Sequence, residues 1–542
     1  MADILLIQPP IRDFYLTAKR TIPYGLACLG GSLRDTGLQV EILDALATRR
    51  TRPAPLPAEM APLEVYYGRP DRSPFSLFHG YTHYGMSETA IARHAGESGA
   101  WLVGISSLFT PYADMAIRCA EIVRKALPRS IVVLGGHHPT VFPQRVMASP
   151  AVDYVLRGEG EVSLAALAAA LRNGTPVSDI AGAVWRDAGG GLMIRPPAVM
   201  DRLDRFAPPD LSLINQRYYC RGGRGAAVVV ASRGCPLSCS YCCMGDETAP
   251  PYRRRSVESV LSEIEEAVYR HGAGFVDFED ENISLDRRWF LDLLQGVVSR
   301  FGPRVIELRA MNGLLPSSLD RQVVDRMQQA GFDTLNLSLG ASNDEQLRRF
   351  RRPDLRTAFD HALGLAETFG LGAVGYVIAG APFQRPRDSL ADLLYLAQRR
   401  VLAGLSIYYP APPSHDYALC EKLGLLPQSP RLMRSSALPI SHTTSRLEAV
   451  TLMRLARILN FIKSLVDADE GLPRPAPLPA NIALQGRERI EIGRKLLASF
   501  LHDGRIPGID GDGEIFEHVV SLDLTRRFVD GLKRIRIRGA TR

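Results

Sequence analysis

The sequence predicts an α/β protein. A doubly wound parallel sheet comes first, then a complete or partial parallel (β/α) barrel, then a mostly helical C-terminal region. Three observations carry this reading. Short apolar runs alternate with amphipathic helical stretches, glycine-rich turns stand where the runs end, and the strand pattern stops after Pro427. At 542 residues the chain exceeds one ordinary core. The boundaries read as a sheet domain over 1–172, a linker over 173–219, a barrel over 220–426 and a helical region over 427–542.

Ile4 to Ile7 is a buried-strand pattern that ends at Gln8-Pro9-Pro10, with a helix around Tyr24 to Leu33 and a strand at Val40 to Leu43. Leu102 to Ser106 reads as a strand and Met115 to Leu127 as an amphipathic helix. Ile131 to Leu134 runs into Gly135-Gly136-His137-His138-Pro139, and Tyr154 to Leu156 meets Arg157-Gly158-Glu159-Gly160-Glu161. In such a sheet, ligands sit outside the carboxyl ends of the strands. The Pro-, Tyr- and Arg-rich stretch from Ala47 to His94 reads as an insertion over that edge. Gly189-Gly190-Gly191 marks a hairpin tip and Pro208-Pro209 a connector.

Alternation resumes with a strand at Ala227 to Ala231, leading directly into a cysteine-rich loop. Ser256 is an N-cap for a helix whose face carries Val257, Val260, Leu261, Ile264 and Val268. Strands recur at Phe275 to Phe278, Val305 to Arg309, Thr334 to Leu339, Ala373 to Ile378 and Leu405 to Tyr408, with a helix from Arg287 to Arg300. Such a barrel keeps its active site at the C-terminal ends of its strands. Ser445 to Leu465 is strongly helical, and a basic tail lies near Lys533 to Arg538.

Composition limits the function. A hydrophobic fraction of 46% and a charged fraction of 23% suit a soluble globular protein, and no apolar run reaches membrane-spanning length. Met1 to Pro10 lacks the basic flank and cleavage site of a signal peptide, so a cytoplasmic location is expected. The net charge of +7 is spread along the chain, which argues against a nucleic-acid surface. Four of the eight cysteines (Cys235, Cys239, Cys242 and Cys243) crowd together, unlike a secreted disulfide framework, and point to metal.

Cys235, Cys239 and Cys242 stand at CxxxCxxC spacing straight after a strand. Three thiolates on one tight loop hold three irons of a four-iron, four-sulfur cubane and leave the fourth iron open. A zinc knuckle would want a fourth donor, for which Cys243 is the candidate.

This loop, with Tyr241 before its last cysteine, resembles the signature of the radical S-adenosylmethionine superfamily. The resemblance implies that the methionine end of S-adenosylmethionine chelates the open iron. One electron, from a donor such as flavodoxin or ferredoxin, then cleaves a carbon–sulfur bond and typically releases a 5′-deoxyadenosyl radical. It extends to Phe278-Glu279-Asp280-Glu281-Asn282, where Asp280 and Glu281 are implied at the methionine amino group. Asn312-Gly313 resembles the family's turn after the third strand, and Ser338 to Glu345 its G-L-E-S-G-S-D-E stretch, with Gly340 in place of the glutamate. Arg351 is implied near the carboxylate or ribose, and the Gly380 and Tyr409-Pro410 turns close the barrel.

Residues 1 to 172 resemble the cobalamin-binding domain that precedes the barrel in one subclass, through ILLIQPP, Pro23-Tyr24-Gly25-Leu26, Gly135 to Pro139 and Arg157 to Glu161. No DxHxxG motif supplies a histidine below the cobalt. The resemblance implies cobalamin against Ser106, Gly135, Gly136 and Glu159, and methyl transfer to an unactivated carbon or phosphorus of a small molecule. Tyr84, His83 and Tyr112 lie in segments that face the same space, or else simply pack. Cyclisation, rearrangement, 3-amino-3-carboxypropyl transfer and a cobalamin- or metal-sensing role stay open beside methylation.

Overall fold

The computed structural model describes residues 2–16, 22–246, 249–436, 439–478 and 489–541. Five parallel strands form the N-terminal sheet: β1 (Ile4–Gln8), β2 (Val40–Asp44), β3 (Leu102–Ser106), β4 (Ile131–Gly135) and β5 (Tyr154–Leu156). The stretch expected to be linker adds β6 (Ala183–Arg186) and β7 (Leu192–Ile194), antiparallel at the edge, in the order β7-β6-β5-β4-β3-β1-β2. Their hairpin turns at the three glycines, where Asp187 Oδ1 accepts from the Gly189 and Gly191 amides at 2.9 and 2.7 Å. Both faces of the sheet are covered, so β1 is apolar on each side: Leu5 and Ile7 enter one core, Ile4 and Leu6 the other.

The barrel comprises β8 (Arg224–Val229), β9 (Ala273–Phe278), β10 (Glu307–Ala310), β11 (Thr334–Gly340), β12 (Gly372–Ala379) and β13 (Leu402–Ile407). β8, β9 and β10 pair in parallel, as do β11, β12 and β13. Single bridges, Leu308 to Phe332 and Leu314 to Leu337, join the halves. Among the described residues no pairing returns β13 to β8, so the barrel is open. Along β11, Leu335, Leu337 and Leu339 face the helices, leaving Asn336 and Ser338 for the interior. The helices begin where the sequence signals them. Ser256 Oγ accepts from the Ser259 amide at 3.2 Å, and Ser445 forms a capping box with Glu448 ahead of Arg446–Asp467.

The C-terminal region packs on the barrel. Leu452, Leu455, Leu459, Phe500 and Phe528 share one core with the barrel strands. The insertion is tied there as well: Phe14, Met60, Leu63 and Tyr67 pack with Val450, and His518 Nε2 donates to Asp71 at 2.9 Å. No described helix is long and apolar enough to cross a membrane.

Candidate active site

The cysteine loop leaves the C-terminal end of β8 and is pinned at its base. Asp280, following β9, accepts from the Ala231 amide at 3.1 Å and from Ser232 Oγ at 2.5 Å. Ser232 and Arg233 pair antiparallel with Arg254 and Arg253, closing the loop on itself. Gly234 makes the turn into Cys235 with φ of +85°, and a Cβ there would lie 2.4 Å from the Pro251 carbonyl oxygen, so only glycine fits.

The N-terminal domain grips the same base. Arg233 ion-pairs with Glu161 at 2.6 Å and with Glu159 at 3.3 Å, and Arg253 pairs with Glu159 at 2.8 Å. The Met200 amide also donates to Glu159. Tyr24, from the Pro-Tyr-Gly-Leu motif, accepts the Val230 amide on its hydroxyl at 3.3 Å. Next to it Arg255 is ion-paired with buried Glu263. Two motifs expected to serve the cofactor domain therefore clasp the roots of the cysteine loop. Both Glu159 oxygens are engaged by protein donors, which is where the structure differs from its expected place at cobalamin.

Within the loop, Cys239 is buried and Cys235 and Cys242 are half-buried. Burial pushes the Cys235 thiol up, and the nearby Cys242 and Cys239 sulfurs push the same way. Among the described residues no three His, Cys, Asp or Glu side chains converge tightly enough to hold one metal ion. A tetrahedral zinc at ~2.3 Å from each sulfur would need them about 3.8 Å apart. Three cysteine donors on one short loop are the set that a cubane with one open iron takes.

Arg352 approaches this loop from the barrel. Its Nη1 lies 3.8 Å from Cys239 Sγ and 3.0 Å from the Tyr241 hydroxyl, while Nη2 donates to the Ser338 carbonyl at 2.6 Å and to Ser338 Oγ at 2.9 Å. Gly340 makes the room, since a Cβ there would lie 3.0 Å from Arg352 Cδ. The arginine beside the site is thus Arg352, where the sequence suggested Arg351. Arg351 adopts φ of +50° and its side chain is exposed. A run of five residues with four arginines hides which one turns inward.

The other expected residues fall as follows. Asp280 spends its carboxylate on Ala231 and Ser232, so of the acidic pair only Glu281 is open, on a cavity wall. Asn312 Nδ2 donates to the Glu279 carbonyl at 2.9 Å, fixing the end of β9. At Gly380, with φ of +77°, a Cβ would lie 2.9 Å from the Pro439 side chain. Ser106 and Gly135 end neighbouring strands in register, and at Gly136, with φ of +113°, a Cβ would lie 2.7 Å from the Ser107 carbonyl oxygen.

A cavity of about 440 Å³ lies between the two domains. One wall is the cysteine loop and barrel end: Cys243, Met244, Glu281, Tyr409 and Pro412. The opposite wall is the strand-end loops of the N-terminal sheet, Leu108 to Tyr112 and His137. Leu108 and Phe109 are 53% and 38% exposed, and Ser107 Oγ is buried without a partner. An apolar shelf with an orphaned hydroxyl behind it fits a flat macrocycle such as a corrin. His137 Nε2 donates to the Pro412 carbonyl at 2.7 Å, and His138 lies 3.3 Å from Thr110 Oγ1, with burial pulling its pKa down to about 4.

The roof of the cavity was not foreseen. Asp13 accepts from the Tyr112 hydroxyl at 2.5 Å and pairs with Arg434 at 3.0 Å, and the Arg434 guanidinium lies 4.9 Å from the Tyr112 ring centre. These partners are far apart in sequence, and only the fold joins them. Tyr112 therefore faces the cavity as a packed, hydrogen-bonded wall. His83 Nε2 donates to the Met86 carbonyl at 2.9 Å and Tyr84 to the Phe14 carbonyl at 3.4 Å, both away from the lining.

Comparison with known proteins agrees with this layout. The B12 binding domain family matches residues 80–168 and the radical SAM superfamily matches residues 229–389. The chain is 23% identical over 411 residues to cytidylyl-2-hydroxyethylphosphonate methyltransferase of Streptomyces wedmorensis, covering 70% of this chain and 73% of that protein. It is also 23% identical over 411 residues to the anaerobic magnesium-protoporphyrin IX monomethyl ester cyclase of Synechocystis, covering 74% of each. Among solved structures, the radical S-adenosylmethionine methyltransferase TsrM from Kitasatospora setae, with cobalamin and a [4Fe-4S] cluster bound, aligns with a TM-score of 0.59 at 18% identity, over 80% of this chain and 82% of that one. OxsB, with aqua-cobalamin and S-adenosylmethionine bound, aligns at 0.55 and 15% identity, over 88% of this chain and 63% of that one.

Proposed function

The chain belongs to the radical S-adenosylmethionine superfamily, in the subclass that carries a B12-binding domain ahead of the barrel, and from that premise we propose that it is a cobalamin-dependent methyltransferase acting on an unactivated carbon or phosphorus centre of a small molecule. One observation carries the reading: a single cavity has the cysteine loop on one wall and the strand-end loops of the N-terminal sheet on the other. When bound, the cluster and S-adenosylmethionine supply one-electron cleavage of a carbon–sulfur bond, and cobalamin supplies a methyl carrier.

The chain's own residues supply position and exclusion of water. Cys235, Cys239 and Cys242 are the cluster ligands, and Glu281 is the open carboxylate for the methionine ammonium group. Tyr241, Ser338 and Arg352 form one hydrogen-bonded wall beside Cys239. The Asp13–Tyr112–Arg434 roof leaves no uncompensated charge over the cavity. The work is done in the cytoplasm, where thiols stay reduced, with flavodoxin or ferredoxin as electron source.

Cyclisation is the second reading, because the cyclase relative matches at the same identity and slightly greater coverage than the methyltransferase. Anaerobic reconstitution with and without hydroxocobalamin tests the proposal. A brown protein that retains a corrin band, and a methylated product formed together with 5′-deoxyadenosine, support methyl transfer. A product formed without methylation moves the assignment to cyclisation. Cys239→Ala loses cluster absorbance whereas Cys243→Ala retains it, and equal losses refute the ligand set.

A further inference from the structure

We infer that the arginine-rich turn after β11 is the docking surface for an acidic one-electron carrier protein, an inference that rests on the cluster assignment above. Ser240 lies between two cluster cysteines and is bound from outside by this turn. Its amide donates to the Phe350 carbonyl at 2.9 Å, and its hydroxyl donates to the Arg349 carbonyl at 3.0 Å. The Phe350 ring stands edge-on to Tyr241, centres 4.9 Å apart. The backbone of this turn therefore packs directly on the cysteine loop at Ser240, beside Pro236 and Ser238, which are exposed. The other face of the loop, at Cys243 and Met244, opens on the cavity that cofactor and substrate fill. An electron supplied from outside has a short hydrogen-bonded route through the turn and Ser240 to the neighbouring Cys239.

The surface there has the chemistry of an electron-transfer dock. Arg348 and Arg351 are exposed, and neither is in an ion pair among the described residues. Of the nearby acids, Glu345 pairs with Arg349, Asp344 and Asp354 pair with Arg356, and Asp416, on the wall of the adjoining hollow, is buried. Beside the arginines is a hollow of about 240 Å³ floored by Phe350, Ala381, Pro382 and Leu419, with Phe383 42% exposed at its rim. A small apolar floor with a cationic rim matches the small, charge-steered contacts of redox partners. The carrier loses one electron and the cluster gains it, with no bond made or broken.

The test is stopped-flow reduction of the reconstituted protein by flavodoxin hydroquinone, which becomes semiquinone, followed as loss of cluster absorbance. The variant pair Arg348→Glu and Arg351→Glu is compared with the wild type. At low ionic strength the double variant is expected to be reduced more than tenfold more slowly and to lose the salt dependence seen in the wild type. Dithionite, a small reductant that needs no dock, is expected to reduce both equally. Calorimetric titration with oxidised flavodoxin gives a second readout, with binding lost in the variant. Equal flavodoxin rates and equal binding overturn the dock. A wild type whose cluster dithionite cannot reduce overturns the cluster reading instead, and the dock with it.

Discussion

Replacing Glu159 and Glu161 by glutamine should loosen the cysteine loop without unfolding either domain. The two carboxylates meet Arg233 and Arg253 across the strand pair that closes the loop, at 2.6 to 3.3 Å, with side chains between 9% and 25% exposed. A charge-assisted hydrogen bond contributes about 1.5–3 kcal/mol. Removing one partner of a fully buried ion pair costs about 3–5 kcal/mol, and partial exposure screens that figure. The double substitution leaves two arginines facing each other, at a cost of about 2–3 kcal/mol in opening the loop base. At about 1.4 kcal/mol per decade, amides at the loop base should exchange with deuterium roughly thirtyfold faster or more. Hydrogen exchange read by mass spectrometry over 230–235 and 252–256 measures this directly. Unchanged exchange there, in a protein that keeps its native exchange elsewhere, refutes the clasp. So does a charge-reversed pair, Glu161→Arg with Arg233→Glu, that restores nothing relative to either single variant.

Burial pushes the Asp280 carboxyl up to about 7, so the unfolded chain gives up that proton first and stability falls as pH rises from about 4 to about 7. Asp280→Asn should flatten the pH dependence of the urea midpoint by on the order of 2–4 kcal/mol. Asp44 and Asp392, raised in the same direction by burial, retain part of the slope, and an unchanged profile would count against the assignment. Gly340→Ala, at φ of +85° and against Arg352, should cost about 1–2 kcal/mol in thermal unfolding, and a neutral result would mean Arg352 is not packed there. Lys463 is fully buried and donates to the carbonyls of Arg399 and Arg538 at 2.7 and 2.8 Å and of Ala397 at 3.3 Å. Lys463→Met should cost about 2–4 kcal/mol and speed amide exchange in the basic tail; exchange left as in the wild type argues against the stitch.

The arrangement of the two α/β units is legible in the chain because β1 to β5 and β8 to β13 carry apolar periods that only buried strands satisfy. The loop of Cys235, Cys239 and Cys242 is legible because close spacing puts its sulfurs on one turn whatever surrounds them. Local signals also set Ser256 and Ser445 as helix caps, since a cap needs only its own first turn. The partners of long polar side chains were decided by the tertiary fold alone. Glu159 pairs with Arg253 rather than with a cofactor, Arg352 turns inward in place of Arg351, and Asp13 meets Arg434 across most of the chain's length. Such side chains follow no period, and a buried charge takes whichever partner the packed backbone brings within reach, because leaving it unpaired costs several kcal/mol. Sequence thus settled which chemistry this protein carries, and packing between its domains settled how that chemistry is held.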